Sequence, residues 1–311
     1  MLATFLIVLP VFALIFAGWL ARRIGVLGGQ ATSELNRFVV FLALPALLFD
    51  ITAHAKLAEI WQPGFIAAFG LGCGGTFALT LVLRRRGARP LADAALDGLN
   101  AAYANTGFIG FPLMLAAVGP AALPPTLIAT ILTVCVVFAV AIVLIEAGLE
   151  TEPRPARLAA KVARSLIRNP LLVAPALGAM VPLAGLAVPG SMEQFLKLLG
   201  GAASPCALVA LGLFLAEPRP ARPHATGGAA LLVGLKLVVH PALTFGCARY
   251  LFALPPALTH AAVLLAALPT GTGPFMLAEF YRREAAVTAT VILASTLLSL
   301  LTVSAYLAAV R

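Results

Sequence analysis

Ten runs of apolar residues divide the chain: roughly 2–21, 35–52, 63–83, 94–118, 122–146, 170–188, 193–215, 228–253, 257–281 and 285–309. Each is close to the 20 or so residues that a helix needs to cross a hydrocarbon core of about 30 Å. The pattern predicts an all-α polytopic membrane protein with ten transmembrane helices. The first run has no charged leading segment and continues to Arg22-Arg23, so it reads as a span and not as a cleaved signal peptide.

Two of these runs are interrupted at mid-span. Tyr103-Ala104-Asn105-Thr106-Gly107-Phe108-Ile109-Gly110-Phe111-Pro112 breaks the fourth, and Leu268-Pro269-Thr270-Gly271-Thr272-Gly273-Pro274-Phe275 breaks the ninth. Without water in the hydrocarbon, freed backbone N–H and C=O groups are tolerated only against protein or beside a polar cavity. Paired interruptions in corresponding parts of two halves are the sequence pointer to a transporter's binding site.

The halves repeat. Pro45 and Pro205 are 160 residues apart, and Pro112 and Pro274 are 162 apart. Five spans per half is an odd number, so the halves are expected to be inverted relative to each other. The expected organisation is a first repeat over 1–149, a linker over 150–169 and a second repeat over 170–311, with helices 4 and 9 broken and crossing.

Composition fixes the class. Hydrophobic residues make up 61% of the chain and charged residues 11%, and the mean hydropathy is +1.03, against about 25% charged in a soluble domain. The net charge of +9 is a matter of topology, not of nucleic-acid binding. Fifteen Lys and Arg follow the odd-numbered spans and four lie on the other side. The positive-inside rule then makes the first side cytoplasmic and both termini extracytoplasmic. Seventeen Arg against four Lys hint at a GC-rich bacterial genome, hence at a bacterial inner membrane. In the linker, Arg157, Lys161, Arg164 and Arg168 share one helical face, with Leu158, Val162 and Leu166 on another. That predicts a basic helix lying on anionic lipid.

Enzyme chemistry finds little support. Cys73, Cys135, Cys206 and Cys247 each stand alone in an apolar run, without metal or redox spacing. Gly70-Leu71-Gly72-Cys73-Gly74-Gly75 matches a dinucleotide fingerprint in form, but it follows no strand and reads as close helix packing. No Walker A, HExxH or clustered carboxylate pair is present. No metal and no cofactor are expected.

The two breaks supply the candidate chemistry. A helix restarting in mid-membrane exposes unpaired N–H groups and about half a positive charge. Two such ends around one cavity favour a small anion. Gly107, Gly110, Gly271 and Gly273 permit close backbone approach, Asn105 suits a carboxylate, and Thr106, Thr270 and Thr272 are secondary candidates. A proline kink used for packing alone explains one break better than two in register. Lys236 and His240, four apart in the eighth run, are candidates for substrate binding or coupling; snorkelling to the headgroups is the alternative for Lys236. Arg37 reads as an interfacial anchor.

These residues resemble the auxin efflux carrier family. Asn36-Arg37-Phe38-Val39-Val40-Phe41-Leu42-Ala43-Leu44-Pro45-Ala46-Leu47-Leu48-Phe49 is similar to its second-helix signature. Asn105 to Pro112 resembles its first crossover, and Leu268 to Phe275, continuing to Ala278 and Tyr281, its second. The resemblance covers essentially the whole chain. It implies inverted five-helix repeats, a scaffold of helices 1, 2, 6 and 7, and a moving domain of helices 3–5 and 8–10. It also implies elevator-type alternating access, with a ligand carboxylate near Asn105, Pro112 and Pro274. The chain lacks the long central loop of many plant members, which favours a compact bacterial permease for malonate, malate or similar acids. A sodium-coupled bile-acid-type symporter, an intramembrane enzyme and a channel are the competing readings. A homodimer is left open, and no nucleic-acid partner is expected.

Overall fold

A computed structural model describes residues 2–54, 61–149, 160, 163–164, 167–217 and 225–310. The basic connector expected over 150–169 lies largely outside the described residues. The helices are α1 (Leu2–Arg23), α2 (Ala31–Ala53), α3 (Pro63–Arg86), α4 (Leu91–Ala102), α5 (106–117), α6 (Pro120–Leu149), α7 (Pro170–Leu183), α8 (Gly190–Ala216), α9 (225–251), α10 (Pro256–Ala266), α11 (Gly273–Phe280) and α12 (Ala285–Val310). Among the described residues the only extended pairing is one antiparallel bridge, Ala104 with Thr270.

Among the described residues six helices, α2, α3, α6, α8, α9 and α12, are long and apolar enough to cross a membrane. The fourth and ninth runs do not qualify as single helices because each is cut in two, α4 with α5 and α10 with α11. The sixth run gives a shorter helix than its apolar length suggests. α7 ends at Leu183, just after Pro182, and the chain leaves it through Gly185 at φ +66°.

Proline shapes the spans locally. A wide π-type turn over Val39–Ala43 precedes Leu44-Pro45, another over Thr106–Gly110 precedes Phe111-Pro112, and a third over Leu235–Val239 precedes His240-Pro241. Proline has no N–H to donate and its ring crowds the carbonyl four residues back. Widening the preceding turn relieves the crowding without ending the helix.

Glycines set the closest helix contacts. A Cβ on Gly18 of α1 would lie 2.2 Å from the Val209 carbonyl oxygen of α8, and one on Gly212 would lie 1.9 Å from the Ile15 oxygen. On the other side of the same group, a Cβ on Gly178 of α7 would meet Phe49 O at 2.5 Å and Thr52 Oγ1 at 2.2 Å in α2. Helices in lipid gain little from apolar burial, so close backbone approach at small residues supplies their attraction. α1, α2, α7 and α8 pack on one another in this way, while α3, α4, α6, α9, α10 and α12 pack mainly among themselves. The formal dinucleotide motif is part of that second packing, because a Cβ on Gly72 would lie 2.1 Å from Thr244 Oγ1 in α9.

Polar contacts at the helix ends join loops that the charge count assigns to the same side. Thr32 bonds Glu217, Arg89 bonds Glu284 and Tyr281 bonds Glu146, each at 2.7 Å. Arg37 is exposed and lies 3.4 Å from Glu34, in keeping with a place at a span's edge.

Candidate functional site

The two breaks satisfy part of their backbone by pairing with each other. α4 stops at Ala102 and the chain runs extended through Tyr103; the Asn105 N–H donates to Pro269 O at 2.9 Å, and the Gly271 N–H donates to Tyr103 O at 3.1 Å. Carbonyls freed at the half-helix ends are capped by side chains. The Thr270 hydroxyl donates to Asn100 O at 2.8 Å, and Lys236 Nζ donates to Ala266 O at 2.7 Å. The Thr270 N–H in turn donates to Ser295 Oγ at 3.1 Å. The helix breaks thus cost few unmade hydrogen bonds in a setting where each would be expensive.

The bridge also corrects the register suggested by the prolines. Ala104 and Thr270, the bridged pair, are 166 residues apart, whereas Pro112 and Pro274 are 162 apart. Pro112 therefore stands about one turn farther into its half-helix than Pro274 does, and the two are not opposite each other.

A cavity of about 320 Å³ opens beside the bridge. Tyr103, Asn105, Gly107, Thr272, Gly273 and Met276 form the wall on the broken-helix side, with Thr130 and Val134 of α6. Leu44, Leu47 and Ile51 of α2 and Gly200, Gly201, Ser204 and Pro205 of α8 face them. The volume is within the range of about 300–1,000 Å³ usual for small-molecule sites. Gly107 and Gly273 stand in the first turns of α5 and α11, where backbone N–H groups have no partner within the helix and carry partial positive charge. Gly273 is glycine for a spatial reason, since a Cβ there would lie 2.6 Å from Tyr103 Cζ.

The structure therefore brings Asn105, Gly107, Thr272 and Gly273 to one wall and places the other sequence candidates elsewhere. Thr106 is fully buried, and its hydroxyl has no hydrogen-bond partner among the described residues. Gly110 packs toward Leu265 and Leu268, Gly271 lies against the Tyr103 ring, and Pro274 is buried in α11. The ring of Pro112 lies outside the described residues. Lys236 and His240 are fully buried and bond each other, Nζ to Nδ1 at 3.0 Å, and they are not part of the cavity wall. Snorkelling is thereby replaced by capping: Nζ turns inward to the C-terminal carbonyl of α10, the negative end of that half-helix.

Sequence reasoning missed several polar groups. Thr130 and Ser204 reach the cavity, and each was visible as a hydroxyl in an apolar run. Asp93 and Asp97 also went unremarked. Asp97, 2% exposed, accepts from Arg84 and Arg89, and Asp93 holds Arg283 through two bonds. Two acids four apart at the start of an apolar run, just after an arginine cluster, were the available signal.

Residues 4–307 match the family model described as membrane transport protein. A protein of Rhizobium meliloti (strain 1021) named "Putative malonate transporter" is 33% identical over 98% of this chain and 95% of its own length. A protein of Methanothermobacter thermautotrophicus (strain Delta H) named "Uncharacterized transporter" is 30% identical over 94% of each. With broken helices meeting at a cavity, and with this match along nearly the whole length, the chain belongs to the membrane transport protein family, the auxin efflux carriers.

Proposed function

We propose that the protein is a secondary transporter of small organic anions, with malonate the first candidate, in a bacterial cell membrane. The observation that carries this reading is the cavity at the bridge, walled on one side by two half-helix starts and Asn105 and on the other by a different group of helices. Partial positive charge and an amide donor suit a carboxylate. The apolar residues Leu44, Leu47 and Ile51 suit the carbon skeleton between or beside the carboxylates. The name of the Rhizobium relative agrees with a dicarboxylate substrate.

The mechanism we propose is an elevator. α1, α2, α7 and α8 form the scaffold, and α3–α6 with α9–α12 form the moving bundle. Two features support this division: each group packs mainly within itself, and the cavity lies where they meet. The scaffold's wall is small and apolar around Gly200, Gly201 and Ala203, which suits sliding. Ten spans in two inverted repeats fit the same picture. Gly18 against Val209 becomes Gly178 against Phe49 when 160 is added to one number and subtracted from the other, as a two-fold exchange of halves requires.

Uptake of labelled malonate, malate and indole-acetate into proteoliposomes tests the proposal, comparing wild type with Asn105→Ala. Saturable uptake of one carboxylate, lost in the variant, supports it. No uptake of any organic anion under any ion gradient would overturn the substrate assignment.

A further inference from the structure

We infer that Lys236 and His240 together form the binding site of a coupling proton that travels with the anion. The inference rests on the anion-carrier reading above. It begins from geometry that a simple cap does not need. Lys236 Nζ lies 2.7 Å from Ala266 O and 3.0 Å from His240 Nδ1, and His240 Nε2 lies 3.3 Å from Cys73 Sγ. Both side chains are fully buried.

An ammonium carries three hydrogens, and these contacts use two. The third is surplus. When it leaves, the neutral amine still donates to Nδ1 and to the carbonyl, so the pair changes charge by one without breaking a hydrogen bond. With Nδ1 accepting, the ring hydrogen stands on Nε2, facing Cys73. A second proton is excluded, because ammonium and imidazolium at 3.0 Å would repel strongly in a buried site.

The surroundings answer this charge with the carbonyl end of α10 and with no bonded acid among the described residues. α3 presents Cys73 to the pair, and α10 presents the Ala266 carbonyl. On α4 the acids Asp93 and Asp97 are held by Arg283, Arg84 and Arg89, and His260 of α10 bonds Tyr306 of α12. No carboxylate bonds Lys236 among the described residues.

The pair is linked to the cavity through the break itself. Ala266 is the last residue of α10; the break follows, and Thr272 and Gly273 at its far end line the cavity. A positive charge at one end of this short segment and an anion at the other favour each other. By reciprocity each raises the occupancy of the other. The loaded bundle therefore crosses with one proton on Nζ, taken from water on the loading side and released to water on the other. The empty bundle returns with a neutral amine.

The test is proton uptake on malonate binding by the purified full chain, read by calorimetry across the neutral range in buffers of different ionisation enthalpy. Wild type is expected to take up as much as about one proton per malonate bound. Lys236→Met, which removes the base, and Lys236→Arg, whose guanidinium stays charged, are expected to take up none. Wild-type binding without proton uptake would overturn the coupling site alone, as would uptake persisting in a folded Lys236 variant. Failure of wild type to bind malonate or any other carboxylate would instead sink the substrate reading on which the site depends.

Discussion

Gly273→Ala is the sharpest test of the crossing. The added methyl would lie 2.6 Å from Tyr103 Cζ, 2.8 Å from its hydroxyl oxygen and 3.0 Å from Phe138 Cε2. Carbon atoms in contact prefer about 3.5–4.0 Å, so the neighbours must yield by about 1 Å. Tyr103 has little room to do so. Its ring is packed against Phe138 with centroids 5.8 Å apart, and its carbonyl oxygen holds the Gly271 N–H of the bridge. Overpacking of this kind costs about 1–3 kcal/mol. Tyr103 and Gly273 both line the cavity, so the strain falls on the site. At 1.4 kcal/mol per tenfold, binding of the proposed anion should weaken by about 5- to 150-fold. Ligand binding and thermal unfolding in detergent measure the two effects. Tyr103→Leu removes the far edge of the ring, so the double variant should be more stable than the sum of the single losses predicts. Wild-type affinity and stability in Gly273→Ala would refute the described contact, and strict additivity would refute its assignment to Tyr103.

Asn105→Ala should weaken anion binding by about 10- to 150-fold, the effect of one hydrogen bond to a charged group at about 1.5–3 kcal/mol. Its melting temperature should stay at the wild-type value, because the side chain caps no helix; an unchanged Kd would remove Asn105 from the site. Gly18→Ala and Gly178→Ala should each lower stability by about 1–3 kcal/mol through the same kind of helix clash. Unfolding curves that match wild type would show α1–α8 and α7–α2 to be more widely spaced. Asp97→Asn should destabilise by about 3 kcal/mol, the lower end for breaking a buried pair, because both arginines are about a fifth exposed. A variant as stable as wild type would show that Arg89 is satisfied by Glu284 alone.

The helical, membrane-crossing class and the two interruptions were legible in the sequence because glycine, proline and polar residues stand out in apolar runs. Asn105, Gly107, Thr272 and Gly273 could be chosen for that reason, and the structure sets them on one cavity wall. What could not be read was pairing over long separations. Nothing local in Tyr103-Ala104-Asn105 says that it will bridge Pro269-Thr270-Gly271, so the proline spacings of 160 and 162 did not show the separation of 166 at the bridge. The same limit hid the partner of Lys236. Its helix and depth could be read, but the carbonyl it caps belongs to a residue 30 positions later. Asp93 and Asp97 were passed over for a different reason. Arg84 and Arg89 had already been explained as topology signals, yet in the structure they also neutralise Asp97.

The bridge between the broken helices has a consequence for biogenesis. Its first residue, Ala104, leaves the ribosome 166 residues before its partner, Thr270. At synthesis rates of about 5–20 residues per second, the interval is on the order of 8–30 s. Throughout that time the amide of Asn105 and the carbonyl of Tyr103 await partners that have not yet been made. Until the second half is made these two groups need other hydrogen-bond partners, so the first half cannot complete the crossing by itself.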